Sequence, residues 1–174
     1  MKKLIFALPL VVLTIICTFI LIFILKEKDP QKPPSALINQ DMPIILLKNL
    51  YDENETIQTT DLQNHYTLIN FFASWCAPCK LEHSLFFNIR EDNPALFILG
   101  INYKDKKEEA KKYLKLEGNP YSFVGVDLDG KIGFEFGVFG LPETFIVNNK
   151  GKIIYKHIGQ LTKEIYYDKI KPFF

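Results

Sequence analysis

An α/β fold is predicted: a central mixed sheet flanked by helices, with an N-terminal β addition, preceded by a single transmembrane helix. Three observations carry that prediction. Thr67 to Ala73 is a short, nearly continuous apolar run rich in β-formers, the pattern of a strand buried on both faces. The run hands over to a segment with Leu81, Leu85 and Ile89 at helical spacing, and Ala95 to Asn102 reads as a second buried strand. Neighbouring parallel strands joined through a helix require a crossover on the sheet face. Finally, Leu4 to Leu25 carries no charge, and about 20 apolar residues suffice for a membrane-spanning helix.

These readings divide the chain into an anchor over residues 1–25, a linker over 26–34 and one folded domain over 35–174. The chain has 174 residues, 48% of them hydrophobic, and a formal net charge of +1. That length allows one domain of moderate size. The near-neutral balance, without a basic run, gives no footprint for a nucleic-acid partner.

The apolar run follows Lys2 and Lys3 and is interrupted only by Pro9, Thr14 and Thr18. A cleaved signal peptide would have an apolar region of roughly 7–15 residues and a small-residue cleavage site. The run is longer and lacks that site, so an uncleaved anchor is expected. Cys17 follows Ile16 rather than a small residue, so it reads as apolar filler and not as a lipid-attachment site. Lys2 and Lys3 on one side face Lys26, Lys28 and Lys32 on the other, and this balance does not decide orientation. Pro30, Pro33 and Pro34 make the linker semi-rigid.

Within the domain, Met42 to Leu47 reads as a first strand, and Asp52 to Glu55 as a turn into Thr56–Gln58. Thr59 to Leu62 is a polar connection before the central strand. Asp105 to Leu116 is a charged amphipathic helix ended by Gly118, followed by a short strand over Ser122–Val126 and a turn over Asp127–Gly130. Two strands, Thr144–Val147 and Lys152–His157, surround the turn Asn148–Gly151. Thr162 to Ile170 closes the chain as a helix.

Cys76 and Cys79 sit where the buried strand meets the helix. Two intervening residues let the second sulfur reach the first within one turn, so a disulfide can open and close without refolding. Near a helix N-terminus, unpaired N–H groups and the dipole favour a negative sulfur, which makes Cys76 the attacking thiolate. Cys79, inside the first turn, is expected to be less exposed and to act as the resolving thiol. Pro78 lacks an N–H and suits an early helical position. Three other readings compete: an inert disulfide, whose loop is too short to stabilise much; half a zinc site with His83, for which no second Cys-x-x-Cys exists; and ordinary thiols. His83 itself reads as a helix-surface residue.

Trp75-Cys76-Ala77-Pro78-Cys79-Lys80 after a buried strand resembles a thioredoxin-fold oxidoreductase. Gly100-Ile101-Asn102-Tyr103-Lys104-Asp105, Gly118-Asn119-Pro120-Tyr121 and Gly137-Val138-Phe139-Gly140-Leu141-Pro142-Glu143-Thr144-Phe145 narrow the likeness. Together they resemble the membrane-anchored thiol:disulfide proteins of bacterial cytochrome c maturation, the DsbE/CcmG group, over roughly residues 35–162. The resemblance implies a thioredoxin-like fold and an inner-membrane, single-pass protein whose domain faces the periplasm. It makes Leu141-Pro142 the cis-proline facing the cysteines, where a client peptide can add as a strand. It places Glu82 and Glu143 in a groove beside the cysteines, able to tune proton transfer or client fit, and Trp75 beside the attacking thiol. Asn70 stands where ordinary thioredoxins carry a buried proton-accepting Asp. An amide cannot accept that proton, so acid–base help for Cys79 must come from water or a glutamate.

The implied activity is reduction of the haem-attachment Cys-x-x-Cys-His of apocytochrome c, with re-reduction by a membrane thiol–disulfide transducer and hand-over to the haem ligation machinery. No cofactor beyond the Cys76–Cys79 pair and no metal are expected. The alternatives are an oxidant or isomerase of the same fold, a non-redox apocytochrome-binding module, and a copper chaperone using Cys76, Cys79 and His157.

Overall fold

A computed structural model describes residues 2–25 and 37–174, with side chains over 9–22 in the first stretch. The chain divides into two units, residues 1–34 and 35–174, and each is described by itself. The expected linker over 26–34 lies outside the described residues.

The first unit contains helix α1, Lys2–Leu25, with Pro9 inside it. Its described side chains are exposed from end to end, Leu10 at 67% and Phe19 at 71% among them. Among the described residues no helix is long and apolar enough to cross a membrane.

The second unit is built on a seven-stranded mixed sheet. Its strands are β1 (Leu46–Asn49), β2 (Thr56–Gln58), β3 (Thr67–Phe72), β4 (Phe97–Tyr103), β5 (Phe123–Asp127), β6 (Glu143–Val147) and β7 (Ile153–Ile158). In space they run β2-β1-β5-β4-β3-β6-β7. The parallel core β3-β4-β5 is joined by α2 (Ala77–Asp92) and α3 (Lys107–Glu117). β6 pairs antiparallel to β3, and β7 to β6. On the other side β1 pairs antiparallel to both β5 and β2, and β2 forms that edge.

Every residue of β3 is buried, as its apolar run predicts. One side of the sheet packs Leu68, Phe72, Leu85, Phe86 and Ile89 into a core that includes both cysteines. The other packs Ile69, Phe71, Leu99, Phe136 and Phe145. Burying such side chains stabilises the fold by roughly 1.5–3 kcal/mol each.

Five expectations need correction. The first strand begins at Leu46 rather than Met42: Met42 and Ile45 are buried as core side chains, but residues 42–45 do not pair as a strand. A short helix, α4 (Lys131–Glu135), follows the Asp127–Gly130 turn. Asp127 starts it by accepting the N–H groups of Ile132 at 3.1 Å and Gly133 at 2.8 Å. On α2 the buried face is Cys79, Glu82, His83, Leu85, Phe86 and Ile89, and Leu81 points outward, 68% exposed. His83 is buried, not on the surface. Its Nε2 lies 3.0 Å from the Gly118 carbonyl, and its ring packs against Phe87, Tyr113 and Tyr121. Burial lowers its pKa. The closing helix begins at Lys163 as α5 (Lys163–Ile165) and runs on through a π-helical turn, Tyr166–Ile170.

Candidate active site

Cys76 is the N-cap of α2. Its extended backbone lets the sulfur accept the N–H of Cys79 at 3.2 Å, which satisfies one of the orphan donors of the first turn. Pro78 sits half-buried in that turn, where its missing N–H costs nothing. Cys76 and Cys79 form a disulfide with their Cα atoms 5.3 Å apart. Both are 3% exposed, so in this oxidised form burial does not set Cys79 apart from Cys76 as expected.

The approach to Cys76 is pinned by Asp105. Its carboxylate accepts from the Ser74 N–H at 2.7 Å, the Ser74 hydroxyl at 2.9 Å, Asn102 Nδ2 at 3.0 Å and the Lys106 N–H at 2.8 Å. Trp75 is 60% exposed and donates its Nε1–H to the Lys104 carbonyl at 3.2 Å. Lys104 holds a left-handed backbone, φ 46°, unusual for a side chain with a Cβ. The strand-end loop after β4 thus fixes both residues that precede Cys76.

The Leu141–Pro142 peptide is cis, as the resemblance implies. β6 enters the sheet with Glu143 opposite Phe71, so Pro142 lies at the end of β3 from which the cysteine loop departs. Pro142 is buried, and the half-buried Leu141 packs on the cluster containing both cysteines.

Beneath the disulfide lies a buried polar network. Glu82, one turn beyond Cys79, is 1% exposed. It accepts from Asn70 Nδ2 at 2.9 Å and from the Leu161 N–H at 2.6 Å. Asn70 Nδ2 also reaches Thr144 Oγ1 at 3.2 Å, and its Oδ1 accepts the Tyr121 hydroxyl at 2.8 Å. Tyr121 can lie flat against the sheet because Gly100, opposite Asn70 on β4, has no side chain: a Cβ there would stand 2.7 Å from the ring. The ring stacks on Phe72, with centroids 5.0 Å apart. No cation meets Glu82 in this network. Loss of solvation outweighs the two hydrogen bonds it accepts and pushes its pKa up to about 8.

Glu143 is fully buried and differently supplied. Its Oε2 pairs with Lys156 Nζ at 2.8 Å, and its Oε1 accepts the Phe139 N–H at 2.9 Å. Both acids therefore lie in the interior and not on an open groove wall.

The Redoxin family profile matches residues 37–170. The DsbE thiol:disulfide interchange protein of Allochromatium vinosum is 36% identical over 152 residues, covering 87% of this chain and 83% of that protein. The DsbE protein of Escherichia coli K12 is 33% identical over 176 residues, covering 99% and 94%. The chain belongs to the Redoxin family, among its DsbE-type thiol:disulfide interchange proteins. The thioredoxin domain of a thiol-disulfide oxidoreductase from Bacteroides vulgatus superimposes with a TM-score of 0.68 over 78% of this chain and 96% of that one, at 19% identity. That likeness bears on the thioredoxin-like fold alone.

This DsbE-type domain is a thiol-disulfide oxidoreductase, and its Cys76–Cys79 pair is a disulfide at a helix N-terminus. Among the described residues no group of three or more His, Cys, Asp or Glu side chains is placed to hold a metal ion. His157 Nε2 lies 3.1 Å from the Gln160 carbonyl. Sequence reasoning missed four residues that build the site. Asp105 and Tyr121 stand inside quoted motifs, without a role assigned there. Thr144 follows Glu143. Lys156 had a signal of its own: strict alternation along the sequence sets it in a row with Ile154 and Ile158, where a cation needs a buried partner, although the bulge opposite Ile146 and Val147 turns Ile154 to the other core.

Proposed function

We propose that this chain reduces the haem-attachment Cys-x-x-Cys-His disulfide of apocytochrome c during c-type cytochrome maturation. Helix α1 anchors it as a single span in the inner membrane with the domain in the periplasm. The correspondence with the Escherichia coli DsbE protein over 99% of this chain supports that reading, because it includes the leading helix as well as the domain. The exposed apolar side chains of α1 support the anchor, since such a surface calls for a nonpolar surround.

The Cys76 thiolate attacks one client sulfur, forming a Cys76–client bond as the client disulfide breaks and one client sulfur leaves as thiolate. The Cys79 thiolate then attacks the Cys76 sulfur, closing the Cys76–Cys79 bond and releasing the second client thiolate. Two electrons pass from the pair to the client, and both client sulfurs end as thiols. The ionised form of Glu82, a minor fraction at neutral pH because its pKa is near 8, takes the proton from Cys79 in the place of the Asp that Asn70 replaces. That pKa lies close to an ordinary thiol's. While Glu82 is protonated it adds no charge to oppose the helix dipole at Cys76. Trp75, Leu141 and Pro142 frame the client strand. Electrons return from a membrane thiol–disulfide transducer, the product passes to the haem ligation machinery, and the disulfide is the only redox group required.

The test is the equilibrium reduction potential of the full-length chain in detergent against a glutathione buffer. A value of about −200 to −270 mV is expected for a reductant, whereas one near −120 mV would make the chain an oxidant. Absence of any reversible two-electron transition would hand the role to a non-redox binding module.

A further inference from the structure

The loop over residues 137–142 ends at the cis-proline, and its backbone must hold one shape for a client strand to pair with it. Lys156, on the edge strand β7, is cross-strand to Phe145, and only 5% of its side chain is exposed. Its ammonium donates to the Gly137 carbonyl at 2.7 Å and pairs with Glu143 Oε2 at 2.8 Å. It also stands 5.3 Å from the Phe139 ring centroid and 5.1 Å from that of Phe145, within range of a cation–π attraction. Glu143 returns to the loop by accepting the Phe139 N–H at 2.9 Å. One buried ion pair thus ties residue 137, residue 139 and the residue after the cis-proline to a single point. Phe139, with its N–H held inside, presents a ring that is 76% exposed.

We propose that Lys156 is a positioning residue for client binding: the Lys156–Glu143 pair clamps the cis-proline loop in the shape that receives the client backbone. It touches neither sulfur, so it acts on capture of the client and not on exchange itself. Glu143, matched by an ammonium and bonded to the loop, serves the same clamp rather than proton transfer. The inference rests on the thiol–disulfide exchange of the family and not on which protein is the client.

The experiment compares full-length reduced protein, wild type and Lys156→Met, in single-turnover reduction of two probes. One is a synthetic peptide with an internal Cys-x-x-Cys disulfide, and the other is 2-hydroxyethyl disulfide, which has no backbone to pair. Lys156→Met is expected to raise the half-saturating peptide concentration about tenfold, a loss of about 1.4 kcal/mol in binding. Its limiting rate should stay within about threefold, and its loss against 2-hydroxyethyl disulfide should be far smaller. Lys156→Arg, whose guanidinium can donate to both acceptors, should restore most of the peptide affinity. An unchanged half-saturation, or equal losses with both probes, would overturn the proposal. If Lys156→Met does not fold, the double variant Lys156→Met with Glu143→Gln removes the unpaired buried charge, yet Gly137 still lacks its donor. Wild-type peptide affinity in that variant would equally overturn the clamp. A wild-type chain that reduced neither probe would instead refute the exchange chemistry.

Discussion

Glu82, on the cysteine helix, and Glu143, next to the cis-proline, are two carboxyl groups buried to the same degree, and the fold treats them in opposite ways. Glu82 receives only neutral donors, the Asn70 amide and the Leu161 N–H, and burial drives its pKa up to about 8. Glu143 receives the Lys156 ammonium and the Phe139 N–H of the cis-proline loop, while Lys156 itself holds the Gly137 carbonyl. Burial alone therefore does not say what a carboxyl group is for. The partner decides: a neutral network leaves an acid able to exchange a proton near neutral pH, while an ion pair makes a mechanical tie.

The largest effect separating the two should come from removing the acid of the ion pair. Glu143→Leu leaves the Lys156 ammonium buried without its counter-charge, a defect that costs about 3–5 kcal/mol. Urea unfolding at pH 7 should read that loss as a lower midpoint with little change in slope. A loss below about 1 kcal/mol would show that Lys156 reaches water, and the contrast between the two acids would collapse.

Glu82 should show a smaller effect, distinguished by its pH dependence. Its folded pKa lies above its unfolded value near 4.5. Between pH 4.5 and 8 the folded state therefore binds more protons than the unfolded one. Stability from this group is fully present below pH 4.5 and is lost as pH rises towards 8. Glu82→Gln removes that titration. Relative to wild type, the variant should gain about 2–4 kcal/mol between pH 4.5 and 8, whatever fixed offset the substitution adds. A difference that stays flat across that range would mean Glu82 is ionised throughout.

The contrast was only half legible in the sequence. Thr67–Phe72 and the helix after Cys76 were visible because a doubly buried strand and a helix N-terminus write themselves in consecutive residues. The cis-proline was reachable through a motif, since composition alone never favours a cis bond. His83 was misread because its cover, the Gly118 carbonyl and Tyr113, comes from a helix some thirty residues further on. Helix α4 escaped notice because five residues with Gly133 at their centre carry no periodicity. Both glutamates were legible as site residues, but their opposite surroundings were not. Asn70, Thr144, Leu161 and Lys156 come from different strands and a late loop, and only the sheet register brings them to the two acids.

The smallest effect tests whether the neutral network merely surrounds Glu82 or also tunes it. The Tyr121 hydroxyl holds Asn70 Oδ1 at 2.8 Å, which turns Asn70 Nδ2 towards Glu82. Tyr121→Phe keeps the ring stacked on Phe72 but leaves that oxygen without a donor, a loss of about 1–2 kcal/mol in stability. Asn70 can then rotate, and Glu82 loses a hydrogen bond that favours its ionised form. Its titration midpoint should rise, by less than about one unit, which carbon NMR of the Glu82 carboxyl can follow directly. A fall would mean that Tyr121 acts on Glu82 chiefly through its own dipole. No movement would reduce Asn70 to packing and leave desolvation as the whole cause of the raised pKa. Glu143, which has no link to Tyr121 through Asn70, should not respond to this variant, so the same spectrum carries its own control.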